Sequence, residues 1–364
     1  MPDAKATSVH PSLVEALQGA GARLLSHVPG AAVLRLLGER PHVVDGMTLD
    51  PHVQLVRMVR LRRRIPPLSA AHVDARRATY RRETASVTGT PTPVASVRDV
   101  AIEGGDGTLR ARLYAAPGGA GERPPLLVYL HGGGFALGDL ETHDEPCRLL
   151  ARHAGMHVLS VAYRLAPEHP FPAPVDDACA ALRWALRHAS SLGADPRLVG
   201  VGGDSAGANL ATVAAQVLAG EGRSPAGQLL VYPTTDAEAA TPSRATFGAG
   251  YFLDTADIDA FRDMYLGSDV AVRRDPRVSP VRCPDLQLAP PALVVTAGFD
   301  ALRDEGDEYA GALRRAGVRV GQLRNESLVH GFLHMTSVSP GARNAAIAIA
   351  SAWRALLAGA PSAA

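Results

Sequence analysis

The chain has 364 residues, enough for one large domain or a domain carrying a sizeable cap. Hydrophobic residues make up 46 % and charged residues 20 %, the balance of a chain that buries a full core. The formal net charge of +1 argues against nucleic acid or a membrane surface as partner.

Cys147, Cys179 and Cys283 are odd in number and widely spaced, and they form no metal-ligand pattern. Neither a disulfide framework nor a metal is expected. The amino terminus has no basic stretch followed by an apolar core. No uncharged apolar run approaches the roughly 20 residues that span a bilayer. The expectation is a reduced, cytoplasmic protein.

From Met1 to about Pro93 the periodicity is helical, with no convincing strand. Leu13, Leu17, Ala20 and Leu24 share one face; Val53, Val56, Met58, Val59 and Leu61 suggest a second amphipathic helix after Asp50-Pro51. The run Arg60, Arg62, Arg63, Arg64 before Pro66-Pro67 reads as a solvated helix end. Thr88 to Pro93 is a linker by composition. From Val97 the texture changes. Val97–Ile102 and Leu109–Tyr114 flank a Gly104-Gly105-Asp106-Gly107 turn, as in a hairpin. Apolar runs then alternate with helical stretches: Leu126–Leu130, His157–Ala162, Leu198–Gly202, Leu229–Val231, Leu293–Ala297 and Val318–Leu323. Strands separated by crossover-length helices, here Asp176–Leu192 and Asp304–Ala316, predict a mostly parallel sheet covered on both faces. About sixty residues between Tyr232 and Ala292 break the rhythm; they hold a helical candidate, Thr255–Leu266. This reads as an insertion, at about 235–275, that joins the helices of 1–93 in a cap over a 94–364 domain.

Gly203-Asp204-Ser205-Ala206-Gly207 follows one apolar run and precedes the helix formers Ala208–Ala219. That is the strand–turn–helix setting of a nucleophile elbow, where a serine sits on a strained turn and glycines admit close backbone. His131-Gly132-Gly133-Gly134-Phe135 follows another strand. Consecutive glycines let backbone N–H groups approach a developing oxyanion. No P-loop lysine or dinucleotide fingerprint accompanies them, so a phosphate cradle is the weaker reading.

A serine needs a base. Of thirteen histidines, His330 and His334 lie beyond the last predicted strands. His330 falls in a loop that reaches the sheet ends, while His334 is expected at the start of the next helix. Asp300 follows Leu293–Ala297 through Gly298-Phe299 and suits the acid; Asp304, Glu305, Asp307 and Glu308 read as a helix amino end. His131 is expected to anchor the glycine loop.

With these residues in place the chain resembles the hormone-sensitive-lipase-like esterases, the bacterial family IV lipolytic enzymes, over about Val97 to Leu357. The matching pieces are His131–Phe135, Tyr163–Glu168, Pro170–Ala173, Gly203–Gly207, Asp300–Asp304 and His330–Phe332. The chain departs from the family pattern at Ala301, usually proline, and in a longer amino-terminal stretch. The resemblance implies an α/β-hydrolase fold with a helical cap, nucleophile Ser205, acid Asp300 and base His330. It implies oxyanion donors at Gly133, Gly134 and Ala206, and no cofactor. The implied substrate is a small uncharged ester of short to medium acyl chain, and a homodimer through the sheet edge is a candidate assembly. Phe135, Phe252 and Phe332 are candidate pocket walls. The segment Tyr163–Ala173, stiffened by Pro167, Pro170 and Pro172, is expected to brace the sheet rather than to react. The same triad would serve an amide, carbamate or lactone. A non-catalytic ligand receptor on this scaffold is the alternative from a different class.

Overall fold

The computed structural model describes residues 20–62, 72–118 and 123–359. Leu13 and Leu17, and the end of the arginine run at Arg63 and Arg64, lie outside the described residues. Eight strands form one sheet in the order β10-β9-β8-β7-β5-β6-β4-β3. They are β3 (Ser96–Glu103), β4 (Thr108–Ala115), β5 (Leu126–Leu130), β6 (His157–Val161), β7 (Val199–Asp204), β8 (Gln228–Val231), β9 (Ala292–Phe299) and β10 (Val320–Val329). The hairpin β3–β4 and the β4–β6 pair are antiparallel; every other neighbouring pair is parallel.

The alternation of side chains along β5 divides the core. Leu126, Val128 and Leu130 enter one apolar layer, shared with α6 (Ala173–His188), α7 (Ala206–Gly220) and α10 (Arg303–Arg315). Leu127 and Tyr129 enter the layer on the opposite face, shared with α5 (Asp144–Ala154) and α11 (Pro340–Ala358). β5, β7, β8 and β9 are buried along their whole length, as parallel strands covered on both faces must be. The fully buried α11 residue Trp353 fills the space left by Gly200 on β7; a β-carbon there would lie 2.6 Å from the indole.

The region before residue 93 contains a helical stretch at 20–25 (α1), α2 (Gly30–Leu36), α3 (Pro51–Leu61) and α4 (Val73–Val87). The side chain of Asp50 caps α3 by accepting from the N–H groups of His52 and Val53, with Pro51 at the first helical position. This region also holds the short hairpin β1 (Val43–Val44) and β2 (Met47–Thr48), contrary to the all-helical expectation. Its turn is Asp45-Gly46, both with positive φ (52° and 77°), the Asp-Gly signature of a two-residue hairpin. Arg60 is not a freely solvated helix end: it pairs with Glu83 on α4 at 3.3 Å and lies over the Phe252 ring.

The long interval after β8 contains α8 (Pro242–Phe247), α9 (Thr255–Leu266) and three short 3₁₀ turns. Only α9 is legible from periodicity. β10 is longer than expected and starts two residues later, so His330 follows the strand directly. His334 does not open the next helix; it closes a 3₁₀ turn at Phe332–His334, six residues before α11.

Candidate active site

The parallel strands β7 and β9 and the end of β10 deliver three side chains to one point. Ser205 lies between β7 and α7 with φ 54° and ψ −122°, a conformation that costs on the order of 1–3 kcal/mol for a non-glycine residue. Its N–H donates to the Val231 carbonyl at 2.8 Å, and its own carbonyl accepts from Ala208 and Asn209. Neither glycine of the turn could be replaced. A β-carbon on Gly203 would stand 2.2 Å from the Leu130 carbonyl oxygen, and one on Gly207 2.0 Å from the same atom.

Nε2 of His330 lies 2.9 Å from Ser205 Oγ, and Nδ1 lies 2.9 Å from Asp300 Oδ2. A carboxylate can only accept, so Nδ1 carries the proton and Nε2 is open to the serine hydroxyl. Asp300 is fully buried, and its Oδ1 accepts from the Leu302 N–H at 2.9 Å. Asp304, the nearest rival, instead accepts from the Ser243 N–H and pairs with Arg303 in the first turn of α10.

Gly133 (φ 124°), Gly134 (φ 61°) and Phe135 (φ 63°) curl the glycine loop beside Ser205. Among the described residues none accepts a hydrogen bond from the N–H of Gly133, Gly134 or Ala206. Ala206 is the first residue of α7, where an unengaged donor and the helix dipole both favour negative charge. Gly134 has a steric reason too: a β-carbon would lie 2.2 Å from the Phe261 ring of α9.

These groups open onto a cavity of about 460 Å³. Its walls are chiefly apolar and come from both non-sheet regions: Leu25, Val56 and Val59 from the first, Phe252, Ile258 and Phe261 from the second. Phe135 also lines it, stacked on Tyr265 with ring centroids 3.9 Å apart. Phe332 does not. It is fully buried against Tyr232 in the core beneath His330, because the 3₁₀ turn points it inward. At the cavity wall Glu305 accepts from the N–H groups of Thr235 and Asp236, while its burial pushes the carboxyl up to about 8.

Behind the serine lies a polar cluster that sequence reasoning did not find. Asp204 Oδ1 accepts from the Tyr129 hydroxyl (2.7 Å) and the Gly132 N–H (3.0 Å), and His143 Nε2 stands 3.3 Å away. Burial opposes the charge on Asp204, but the neighbouring His143 and the Tyr129 hydroxyl outweigh it and hold the carboxyl well below its usual range. His131 stacks on Tyr163 and reaches the Gly132 carbonyl with Nδ1, consistent with an anchor for the loop. Burial, and then the neighbouring His143, lower His131 to about 4 and His334 to about 3. The segment Tyr163–Ala173 is held from α4: the Arg77 guanidinium donates to the carbonyls of Ala136 and Ala166 and to both Glu168 oxygens. Glu168 is thereby engaged away from Ser205. The one sequence signal for the cluster is the Asp beside the serine; Tyr129, Gly132, His143 and His334 lie 75, 72, 61 and 130 residues from it.

Since the folded values of His131 and His334 lie below the ordinary 6.5, the unfolded chain binds more protons between pH 6.5 and about 3–4. Stability is therefore complete above pH 6.5 and falls on acidification through that window. His334→Gln should flatten the slope of urea-unfolding free energy from pH 6.5 to 4.5 by up to about 1.4 kcal/mol per pH unit. An unchanged slope would show that His334 is not held neutral.

Comparison with known proteins bears on this geometry. Residues 127–334 match the model of the alpha/beta hydrolase fold family. Carboxylic ester hydrolase LipN of Mycobacterium tuberculosis is 44 % identical over 347 residues, covering 93 % of this chain and 91 % of LipN. Ethyl acetate hydrolase of Pseudomonas putida is 37 % identical over 303 residues, covering 80 % and 94 %. The solved structure of ester-hydrolase EH1AB1, from the Lake Arreo metagenome with a bipyridine phosphonate derivative, is similar with TM-score 0.79 and 38 % identity. That match covers 83 % of this chain and 96 % of the other.

Proposed function

The chain belongs to the alpha/beta hydrolase fold family, among its hormone-sensitive-lipase-like esterases, and on that premise we propose that it is a carboxylic ester hydrolase working through Ser205, His330 and Asp300 on short- to medium-chain acyl esters. One observation carries the assignment of roles. A continuous Ser205–His330–Asp300 relay with 2.9 Å steps stands at an apolar cavity, beside three N–H groups that no described residue engages.

His330 Nε2 removes the hydroxyl proton as Ser205 Oγ adds to the ester carbonyl carbon. The carbonyl oxygen becomes an oxyanion held by the N–H groups of Gly133, Gly134 and Ala206. Asp300 keeps the imidazole in its productive tautomer and stabilises the imidazolium. The carbon–oxygen bond to the alcohol then breaks, and His330 returns its proton to the leaving oxygen. Water repeats the two steps on the acyl-enzyme and releases the acid. In this reading residues 1–93 and the insertion at about 235–275 are the cap, and their apolar side chains receive the acyl group.

Three free cysteines, two of them buried, fit a reducing compartment, the cytoplasm. Among the described residues no helix is long and apolar enough to cross a membrane. Among the described residues β10 has β9 as its one sheet neighbour, and that edge strand supports a homodimer across it, to be read by sedimentation at micromolar concentration as dimer against monomer mass.

The test of function is the initial rate on p-nitrophenyl esters from acetate to dodecanoate. The wild type should turn over short and medium chains. Ser205→Ala should lose about 10⁶-fold in kcat, and Asp300→Asn about 10⁴-fold. An equally active Ser205→Ala would refute the assignment.

A further inference from the structure

Asp204 is the last residue of β7, adjacent in the chain to Ser205, yet its carboxylate takes its hydrogen bonds from the glycine loop and two tyrosines rather than from Ser205 or His330. It reaches across to the start of the glycine loop. Oδ1 accepts the N–H of Gly132, the residue immediately before Gly133 and Gly134, and accepts the hydroxyl of Tyr129 on β5. Oδ2 accepts from the Tyr232 hydroxyl at 3.4 Å. His143 completes the enclosure with Nε2 at 3.3 Å from Oδ1, its ring oriented by a 2.9 Å contact between Nδ1 and Thr142 Oγ1. Gly132 is fitted to this carboxylate. A β-carbon there would lie 2.5 Å from Asp204 Oδ2, so any side chain would push the carboxylate away.

On the reading that Ser205 is the nucleophile and Gly133 and Gly134 are oxyanion donors, we infer that Asp204 is a positioning residue that clamps the donor loop to the nucleophile elbow. It touches neither substrate nor reacting atom. It fixes the separation between the attacking oxygen and the N–H groups that stabilise the tetrahedral state. Alignment of such donors is worth far more in the transition state than in the ground state, so the clamp acts on kcat rather than KM. Asp204 performs this role because one residue sits beside the nucleophile in sequence and beside the donors in space.

The same carboxylate, with His143 and His334, offers three atoms within 4.8 Å of one another, a spacing that a cation would also accept. Oδ1 is already taken by the Tyr129 hydroxyl and the Gly132 N–H, so the direct hydrogen bonds are the reading the geometry favours.

The experiment measures kcat per active site, KM, and inhibition by an alkyl trifluoromethyl ketone, whose serine adduct carries the oxyanion. Active sites are counted by the burst of p-nitrophenol from a p-nitrophenyl phosphonate. Asp204→Ala should lose about 10²–10³-fold in kcat, the range for loss of one oxyanion donor. KM should stay within about twofold, and ketone affinity should weaken in parallel with kcat, on the same transition-state argument. Asp204→Asn should recover at least about tenfold of the loss, because an amide oxygen can take the Gly132 and Tyr129 donors. If Asp204→Ala does not fold, Tyr129→Phe and His143→Gln stand in, each lowering kcat several-fold at constant KM. The inference is overturned if kcat per titrated site is unchanged in Asp204→Ala or in both substitutes, or if Asn restores nothing. It is also overturned if chelation with EDTA abolishes wild-type activity and a divalent metal restores it. A wild type that hydrolyses esters without labelling at Ser205 would instead defeat the nucleophile assignment on which the inference rests.

Discussion

The carbonyl oxygen of Leu130, at the end of β5, lies against the turn that opens α7, and most of the site depends on that approach. It leaves no room for a β-carbon on either Gly203 or Gly207. With both flanks bare, the chain can turn sharply enough to hold Ser205 at positive φ, its hydroxyl lifted toward His330. The same strand end carries the glycine loop. Packing that brings β5 against α7 therefore brings prospective donors beside the prospective nucleophile. The strain at Ser205 is held by the buried parallel strands on each side and by its N–H bond to Val231.

The electrostatics follow the same division of labour. The Asp300 carboxylate is buried and directed at Nδ1 of the His330 imidazole. The Asp204 carboxylate, one residue from the serine, is engaged by the Tyr129 hydroxyl and the Gly132 N–H, with His143 packed beside it. Histidines 131 and 334 are kept neutral by burial and pack as polar aromatic walls around it.

Much of this was legible in the sequence because it is local. Short apolar runs such as Leu126–Leu130 and Leu198–Gly202 read as strands, and the two glycine motifs lie beside those runs. The Ser205–Asp300–His330 set was readable because each member follows a strand in chain order. What escaped was non-local or weakly patterned. The β1–β2 hairpin has strands of only two residues, too short for an alternation to register, although Asp45-Gly46 was a usable signal. The polar cluster joins Asp204 to residues far along the chain, and no spacing rule links them. Phe332 follows His330 closely, and only the sense of a 3₁₀ turn decides that it enters the core rather than the cavity. The cavity itself unites residues such as Leu25 and Phe261, which no linear reading could bring together.

The central claim is that Ser205 is the nucleophile of an acyl-transfer site, and peptide mapping after covalent trapping tests it most directly. Treatment with a p-nitrophenyl alkylphosphonate should release one equivalent of p-nitrophenol per chain and add one phosphonyl group. The added mass should fall on the peptide containing Gly203–Gly207, with fragment ions placing it at Ser205, and esterase activity should disappear in proportion to labelling. Modification at another residue, or full activity surviving complete labelling of Ser205, would contradict the account.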